Sequence, residues 1–225
     1  MMLNYPITIT DNFFEDPDFV VSLTEKAKWS NEDNGRWPGE RSQPLDEIDP
    51  EFFEFLLRRY FLQFFDKQDF DGRFMMNATS LFQRIPAGLD LGWIHADYPK
   101  VHTFIIYLTQ DADPSSGTGF YIPKSSNVRD DLQYEKASYY RGELDKITAR
   151  HYAEKHNGQF IQTAYCGNVY NRCVGFDSHL YHGAVDLDNG GRDRLTLITF
   201  IDEIVSKKSP LMNSRNRPFI REARR

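Results

Sequence analysis

The sequence predicts an α+β fold, a β-sandwich or barrel with helices grouped against one sheet. Three features point there. Apolar residues recur at helical spacing within residues 1–77, short β-branched and aromatic runs dominate residues 78–203, and Gly, Pro and Asp punctuate those runs. At 225 residues the chain suits one domain. It divides into a helical support (1–77), a β core (78–203) carrying an insertion (129–157), and a basic tail (204–225).

A short strand at Pro6–Thr10 opens the ordered part. Asp16-Pro17 then marks a helix entry, with Phe19, Val20, Leu23 and Ala27 on one face. Gly35, Pro38, Gly39 and Pro44 make 34–44 a loop. Asp49 caps a second helix that starts at Pro50 and runs through Phe52, Phe53, Leu56, Leu57, Tyr60, Phe61 and Phe64. So wide an apolar face needs a large partner, and a sheet is the natural one. Strands follow at Thr79–Ile85, His102–Thr109, Gly117–Ile122, Asn168–Phe176 and Arg194–Ile201. The charged, Tyr-rich stretch 129–157 has weak helical periodicity and reads as a helical insertion or lid. Its tyrosines Tyr134, Tyr139, Tyr140 and Tyr152 either cover a substrate or pack on the sheet.

Composition narrows the function classes. Hydrophobic residues are 40% and charged residues 27%, with 18 Phe and 12 Tyr, so a sizeable core is available. A net charge of −6 weighs against a nucleic-acid backbone as the main partner. The tail from Lys207 to Arg225 is basic and reads as a solvated extension. Two cysteines, Cys166 and Cys173, suit a reducing compartment. No charged segment followed by an apolar one opens the chain, and no apolar run reaches membrane-span length. A cytoplasmic, non-membrane protein is the expectation, with its oligomeric state open.

The chemistry concentrates in three places. His95 and Asp97, in Trp93-Ile94-His95-Ala96-Asp97, can both reach one ion from a strand end or tight turn. Taken alone the pair also fits a turn histidine beside a capping aspartate. A second imidazole is available from His179 or His182, and alternation along an extended segment does not decide between them. Two imidazoles and one carboxylate cover one face of an octahedron and leave the other open, as non-haem Fe(II) oxygenases require. Arg194 opens the apolar run Leu195–Ile201, where an unpaired charge is costly. It pairs with Asp186, Asp188 or Asp193, or it clamps a carboxylate inside the fold; Arg192 shares its face.

These residues, in this order, resemble the Fe(II)/2-oxoglutarate-dependent dioxygenases, and among them the prolyl-4-hydroxylase-like branch. Gly88 matches that branch's turn before its His-x-Asp, and Tyr107-Leu108-Thr109 resembles its Tyr-Leu-Asn strand. Gly117-Thr118-Gly119-Phe120 resembles its Gly-Gly-x-Thr-x-Phe segment. Phe176-Asp177-Ser178-x-Leu180-x-His182 resembles its Phe-x-Ser-x-x-x-His motif, and Arg194-x-Thr196-Leu197 its basic-x-Ser-Leu strand. The resemblance spans residues 78–203. It favours His182 over His179 and Arg194 over Arg192.

The resemblance implies a double-stranded β-helix (jelly-roll, cupin-like) core. It implies Fe(II) held by the catalytic residues His95, Asp97 and His182, with 2-oxoglutarate and O2 as co-substrates. Arg194 would hold the far carboxylate of 2-oxoglutarate, helped by Tyr107 and Thr196. Ile85 stands where that branch often has a tyrosine, leaving Tyr107 or Gln83 to make that contact. The implied activity is hydroxylation with release of succinate and CO2, since halogenation would need the Asp97 position empty. The substrate is a small molecule or a protein side chain, and Arg41, Arg84 and Trp93 are the candidate contacts. A non-catalytic cupin-like metal- or ligand-binding module, including a zinc site, is the alternative. No Gly-rich phosphate loop and no hydrolase-type spacing is present.

Overall fold

The computed structural model describes residues 7–31, 36–65, 74–89, 91–129, 131–206 and 220–222. Its strands are β1 (Ile7–Thr10), β2 (Trp29–Ser30), β3 (Glu40–Ser42), β4 (Met75–Ile85), β5 (His102–Tyr107), β6 (Thr118–Pro123), β7 (Phe160–Cys166), β8 (Cys173–Asp177), β9 (Tyr181–Ala184), β10 (Arg194–Ser206) and β11 (Ile220–Glu222). Its helices are α1 (Pro17–Ser22), α2 (Leu45–Ile48), α3 (Pro50–Phe61), α4 (Gln133–Tyr140) and α5 (Lys146–Asn157).

An eight-stranded sheet runs β1-β8-β5-β10-β4-β3-β2, with β11 parallel to the end of β10 and every other pair antiparallel. A three-stranded antiparallel sheet runs β7-β6-β9. Phe120 of β6 and Cys166 of β7 share one buried cluster with Ile105, Val174, Phe176 and Ile198 of the large sheet, so the two sheets pack face to face. The chain is therefore a mixed helix-and-sheet protein built on a large antiparallel sheet, as expected.

Both faces of the large sheet are covered, and alternation on each strand sorts the residues. On β10, Leu197 and Ile201 join the helical side, where Phe52, Leu56, Tyr60 and Phe61 of α3 meet Phe82, Phe104 and Ile106. Arg194, Ile198 and Phe200 point the other way, into a cavity between the sheets that also takes Leu81, Gln83, Thr103 and Ile105. The helix starts are those anticipated: the Asp16 carboxylate accepts from Phe19 N at 3.0 Å and the Asp49 carboxylate from Phe52 N at 2.9 Å. Asp145 does the same for α5, accepting from Ile147 N and Thr148 N at 3.0 Å. The 129–157 insertion is thus the helix pair α4–α5, which packs around Trp93.

Several boundaries differ from the sequence reading. β4 starts at Met75, and β10 continues past a register shift near Asp202 to Ser206. β8 starts at Cys173 because Asn171, at φ 61°, turns the chain and binds both Phe14 N and Phe14 O through its side chain at 2.8 Å. Within the expected loop 34–44, Glu40–Ser42 pairs with β4 and with β2; residues 32–35 lie outside the described residues. Strands β7 and β9 have no clear signature in the sequence. β7 lacks clean alternation, and β9 is four residues long with a glycine inside it. The tail departs from a simple solvated extension at β11, while residues 207–219 and 223–225 lie outside the described residues.

A buried polar contact helps to lock the helical layer to the sheet. Tyr60 stacks on Phe104 with centroids 3.9 Å apart, and its hydroxyl lies 2.5 Å from His102 Nε2. Burial holds the His102 imidazole down to about 3, so it is neutral at physiological pH. Gly175 of β8 leaves room for this tyrosine, because a Cβ there would stand 1.7 Å from the Tyr60 hydroxyl oxygen. Tyr60 cannot retreat without losing both contacts. Gly175→Ala should therefore cost stability at or above the upper end of the ~1–3 kcal/mol typical of overpacking, read as a fall in the urea midpoint.

Candidate metal centre

The segment before β5 pairs with β9 through a single bridge. His95 N donates to His182 O at 2.9 Å, and His182 N donates to His95 O at 2.8 Å. This sets the two imidazoles side by side, with ring centroids 4.5 Å apart. Asp97 N donates to Ser178 O at 2.8 Å, which brings the carboxylate under both rings. Asp97 Oδ1 is 3.5 Å from His95 Nε2, and Oδ2 is 3.4 Å from His182 Nε2. One ligand atom from each of the three residues lies within 4.8 Å of the others.

The orientation of each ligand is fixed from behind. His95 Nδ1 is 2.7 Å from Trp93 O, and His182 Nδ1 is 2.8 Å from Leu180 O. A carbonyl only accepts, so both Nδ1 atoms carry a proton and both Nε2 atoms face Asp97, where a metal would sit. Thr103 donates its hydroxyl to Asp97 Oδ2 at 2.9 Å and lies 2.8 Å from the Ser178 hydroxyl. Burial alone would raise the Asp97 pKa, but the His182 and His95 imidazoles outweigh it and hold the carboxyl well below the usual range. Burial lowers the His95 pKa, with His182 adding to the effect. The centre thus offers two imidazole Nε2 atoms and one carboxylate, a donor set that suits Fe(II) and leaves coordination positions open. His182 is buried, while the His95 side chain is 43% exposed toward the cavity.

A second group lies further along the sheet. Arg194 is 5% exposed, has no carboxylate within ion-pair distance among the described residues, and leaves its Nε without a hydrogen-bond partner. Its guanidinium sits 5.5 Å from the Tyr107 ring centre. Thr196, fully buried, also has an unpartnered hydroxyl. Tyr107, which pairs with Thr196 across the sheet, lies 2.7 Å by its hydroxyl from Thr118 Oγ1, and burial raises its pKa. Burial also lowers the Arg194 pKa. A buried guanidinium and hydroxyl with unused donors form a cradle for a small anion. The Asp186, Asp188 and Asp193 pairing considered for Arg194 is absent, since Asp188 and Asp193 bind the backbone of Gly88 and Ala87 instead.

The remaining candidates scatter. Gln83 lines the cavity, but its amide nitrogen is taken by Pro38 O at 2.7 Å. Arg41 lines the cavity with its guanidinium 3.7 Å from the Trp37 ring centre. Trp93 reaches the cavity wall but is 2% exposed and belongs to the core of the insertion. Arg84 is not brought to the cavity. Strand alternation turns it to the opposite face, where it binds Glu40 at 2.7 Å and covers the Trp29 ring. His179 sits edge-on to Tyr98, and Arg192 binds Asp111 O, both apart from the triad. Sequence reasoning missed Thr103 and Lys136. Thr103 is legible as a lone hydroxyl at an inward position of an apolar strand; Lys136, which acts electrostatically on His95, left no such signal.

Comparison with known proteins places this geometry. Residues 2–201 match the model of a family described as a family of unknown function (DUF6445). No curated protein matches the chain. Among solved structures, HygX from Streptomyces hygroscopicus with nickel and 2-oxoglutarate bound superposes with a TM-score of 0.54 at 15% identity, covering 88% of this chain and 82% of that one. HygX with nickel, 2-oxoglutarate and hygromycin B gives 0.52 at 14% identity, with coverage of 88% and 82%. An oxidoreductase of the 2OG-Fe(II) oxygenase family from Burkholderia pseudomallei gives 0.50 at 11% identity, covering 87% and 84%. Prolyl hydroxylases also match, at lower TM-scores. The chain thus has the fold of the 2-oxoglutarate–Fe(II) oxygenases. No helix among the described residues is long and apolar enough to cross a membrane.

Proposed function

The chain belongs to the DUF6445 family, and we propose that it is an Fe(II)- and 2-oxoglutarate-dependent oxygenase that hydroxylates a small molecule or a protein side chain. The observation that carries this reading is the pairing of two sites in one cavity. His95, Asp97 and His182 converge within 4.8 Å, and Arg194 lies buried at the other end with no carboxylate at ion-pair distance among the described residues. In this reading the two facing sheets are a double-stranded β-helix and residues 1–225 are one domain. Solved HygX with 2-oxoglutarate and hygromycin B supports a small-molecule substrate.

The residues present fit the groups this function needs. His95 Nε2, Asp97 and His182 Nε2 would hold the iron. Arg194 and the Thr196 hydroxyl would take the far carboxylate of 2-oxoglutarate, which supplies the partners their buried donors lack. Bound iron, with 2-oxoglutarate and O2, supplies the oxidising power for C–H hydroxylation, and succinate and CO2 leave as co-products. The protein's part is positional. Trp93 and Leu180 carbonyls hold the imidazoles in one tautomer, Thr103 orients Asp97, and α4 and the Trp93 segment wall the cavity from solvent.

The test is direct. Anaerobic protein with Fe(II) should develop a weak visible charge-transfer band when 2-oxoglutarate is added, and with O2 it should release succinate. Metal binding without the band or succinate would instead leave a non-catalytic metal-binding module.

A further inference from the structure

The cavity that contains the triad has a volume of about 470 Å³, within the range of small-molecule sites. Its charged lining is one-sided. Among the described residues Arg36, Arg41, Lys100 and Lys136 line it together with Arg194, and Asp97 is the single carboxylate. The chain as a whole carries a net charge of −6, so this is a local reversal of sign. A low-walled cleft of one sign concentrates ligands of the other.

The cations fall at two separate places. Arg194 stands at the start of β10, beside Tyr107. Arg41 enters from β3, where its backbone pairs with Gln83 of β4, and its guanidinium leans to 5.5 Å from the ring centre of Phe200, six residues along β10 from Arg194. Phe200 pairs across the sheet with Thr103, the residue that orients Asp97, so the Arg41 guanidinium leans toward the metal-ligand end of the cavity. Between them the floor is apolar, made by Leu81, Ile198 and Phe200. Stacking on Trp37 at 3.7 Å fixes the plane of the Arg41 guanidinium, which suits it to a forked contact. Lys100 is offset by Asp202 at 2.6 Å and adds little to that charge.

We propose that the oxidised substrate is a small molecule with an anionic group, a carboxylate or a phosphate, held by Arg41 and Arg36 while its apolar portion lies over Leu81, Ile198 and Phe200 beneath the metal ligands. This rests on the oxygenase reading for the word oxidised, but the anion site itself does not.

Calorimetric titration tests it. The probes are 4-phenylbutyrate, 3-phenylpropyl phosphate and the neutral 4-phenylbutanamide, added to full-length protein loaded with Zn(II) and saturating 2-oxoglutarate. One or both anions should bind at least tenfold tighter than the amide, and which one does distinguishes carboxylate from phosphate. Arg41→Gln and Arg36→Gln should each remove most of that preference, while Arg41→Lys retains part of it. Equal binding of amide and anions, an undiminished preference in both Gln variants, or displacement of the anions by 2-oxoglutarate would overturn the proposal. Repeating the titration on metal-free protein separates the two readings. An anion preference in a protein that binds neither Fe(II) nor 2-oxoglutarate keeps this inference and sinks the oxygenase. Binding of both without an anion preference does the reverse.

Discussion

Asp97→Ala and His182→Ala should each abolish the visible band that forms when 2-oxoglutarate is added to the anaerobic Fe(II) protein, together with succinate release. Each removes one of three ligand atoms that lie within 4.8 Å of one another. Two donors cannot close the facial set that leaves positions open for a chelating co-substrate. Thr103→Val is the graded control. It takes away the 2.9 Å hydrogen bond behind Asp97 and the 2.8 Å contact with the Ser178 hydroxyl but no ligand atom, and loss of such an outer partner typically costs ~10–100-fold in metal affinity or activity. The order of effects should be Asp97 and His182 far above Thr103, with circular dichroism unchanged in all three. An intact band in both alanine variants would end the ligand assignment.

Arg194→Ala should raise the dissociation constant of 2-oxoglutarate tenfold or more while leaving Fe(II) affinity unchanged. A hydrogen bond to a charged group contributes roughly 1.5–3 kcal/mol, and here it lies in a buried, weakly screened site. The same substitution carries a second signature. With no carboxylate beside it among the described residues, the guanidinium is a burden on the unliganded fold. The variant should therefore melt no lower than the wild type without co-substrate, yet gain less stability when 2-oxoglutarate is added. A large loss of stability in the unliganded variant, with co-substrate affinity intact, would make Arg194 a structural residue instead.

Much of this site is legible in the sequence because its parts are local. His95 and Asp97 are two residues apart, and Arg194 opens an apolar strand, where a charge needs an explanation. The helical layer is legible for the same reason, since Asp16-Pro17 and Asp49-Pro50 both act as caps and α3 buries Phe52, Leu56, Tyr60 and Phe61 at helical spacing. What is not legible depends on long-range pairing. Periodicity in a four-residue strand does not separate His182 from His179; the Phe176–His182 motif does, and the bridge between His95 and β9 is the long-range reason that no local pattern shows. Arg41 and Arg84 are likewise indistinguishable in the sequence. β3 sends Arg41 to the cavity, whereas β4 turns Arg84 to the other face to bind Glu40.

The bridge between His95 and His182 has one more consequence. Side chains alternate across a ladder, so a slip of a single position there would turn one imidazole out of the ligand set. The two rings meet only in a chain whose smaller sheet has closed correctly. Under the oxygenase reading proposed above, bound iron would then serve as an assay of conformational fidelity: molecules mispaired at this edge should pass through purification empty, and the metal content of a preparation would count its properly assembled fraction.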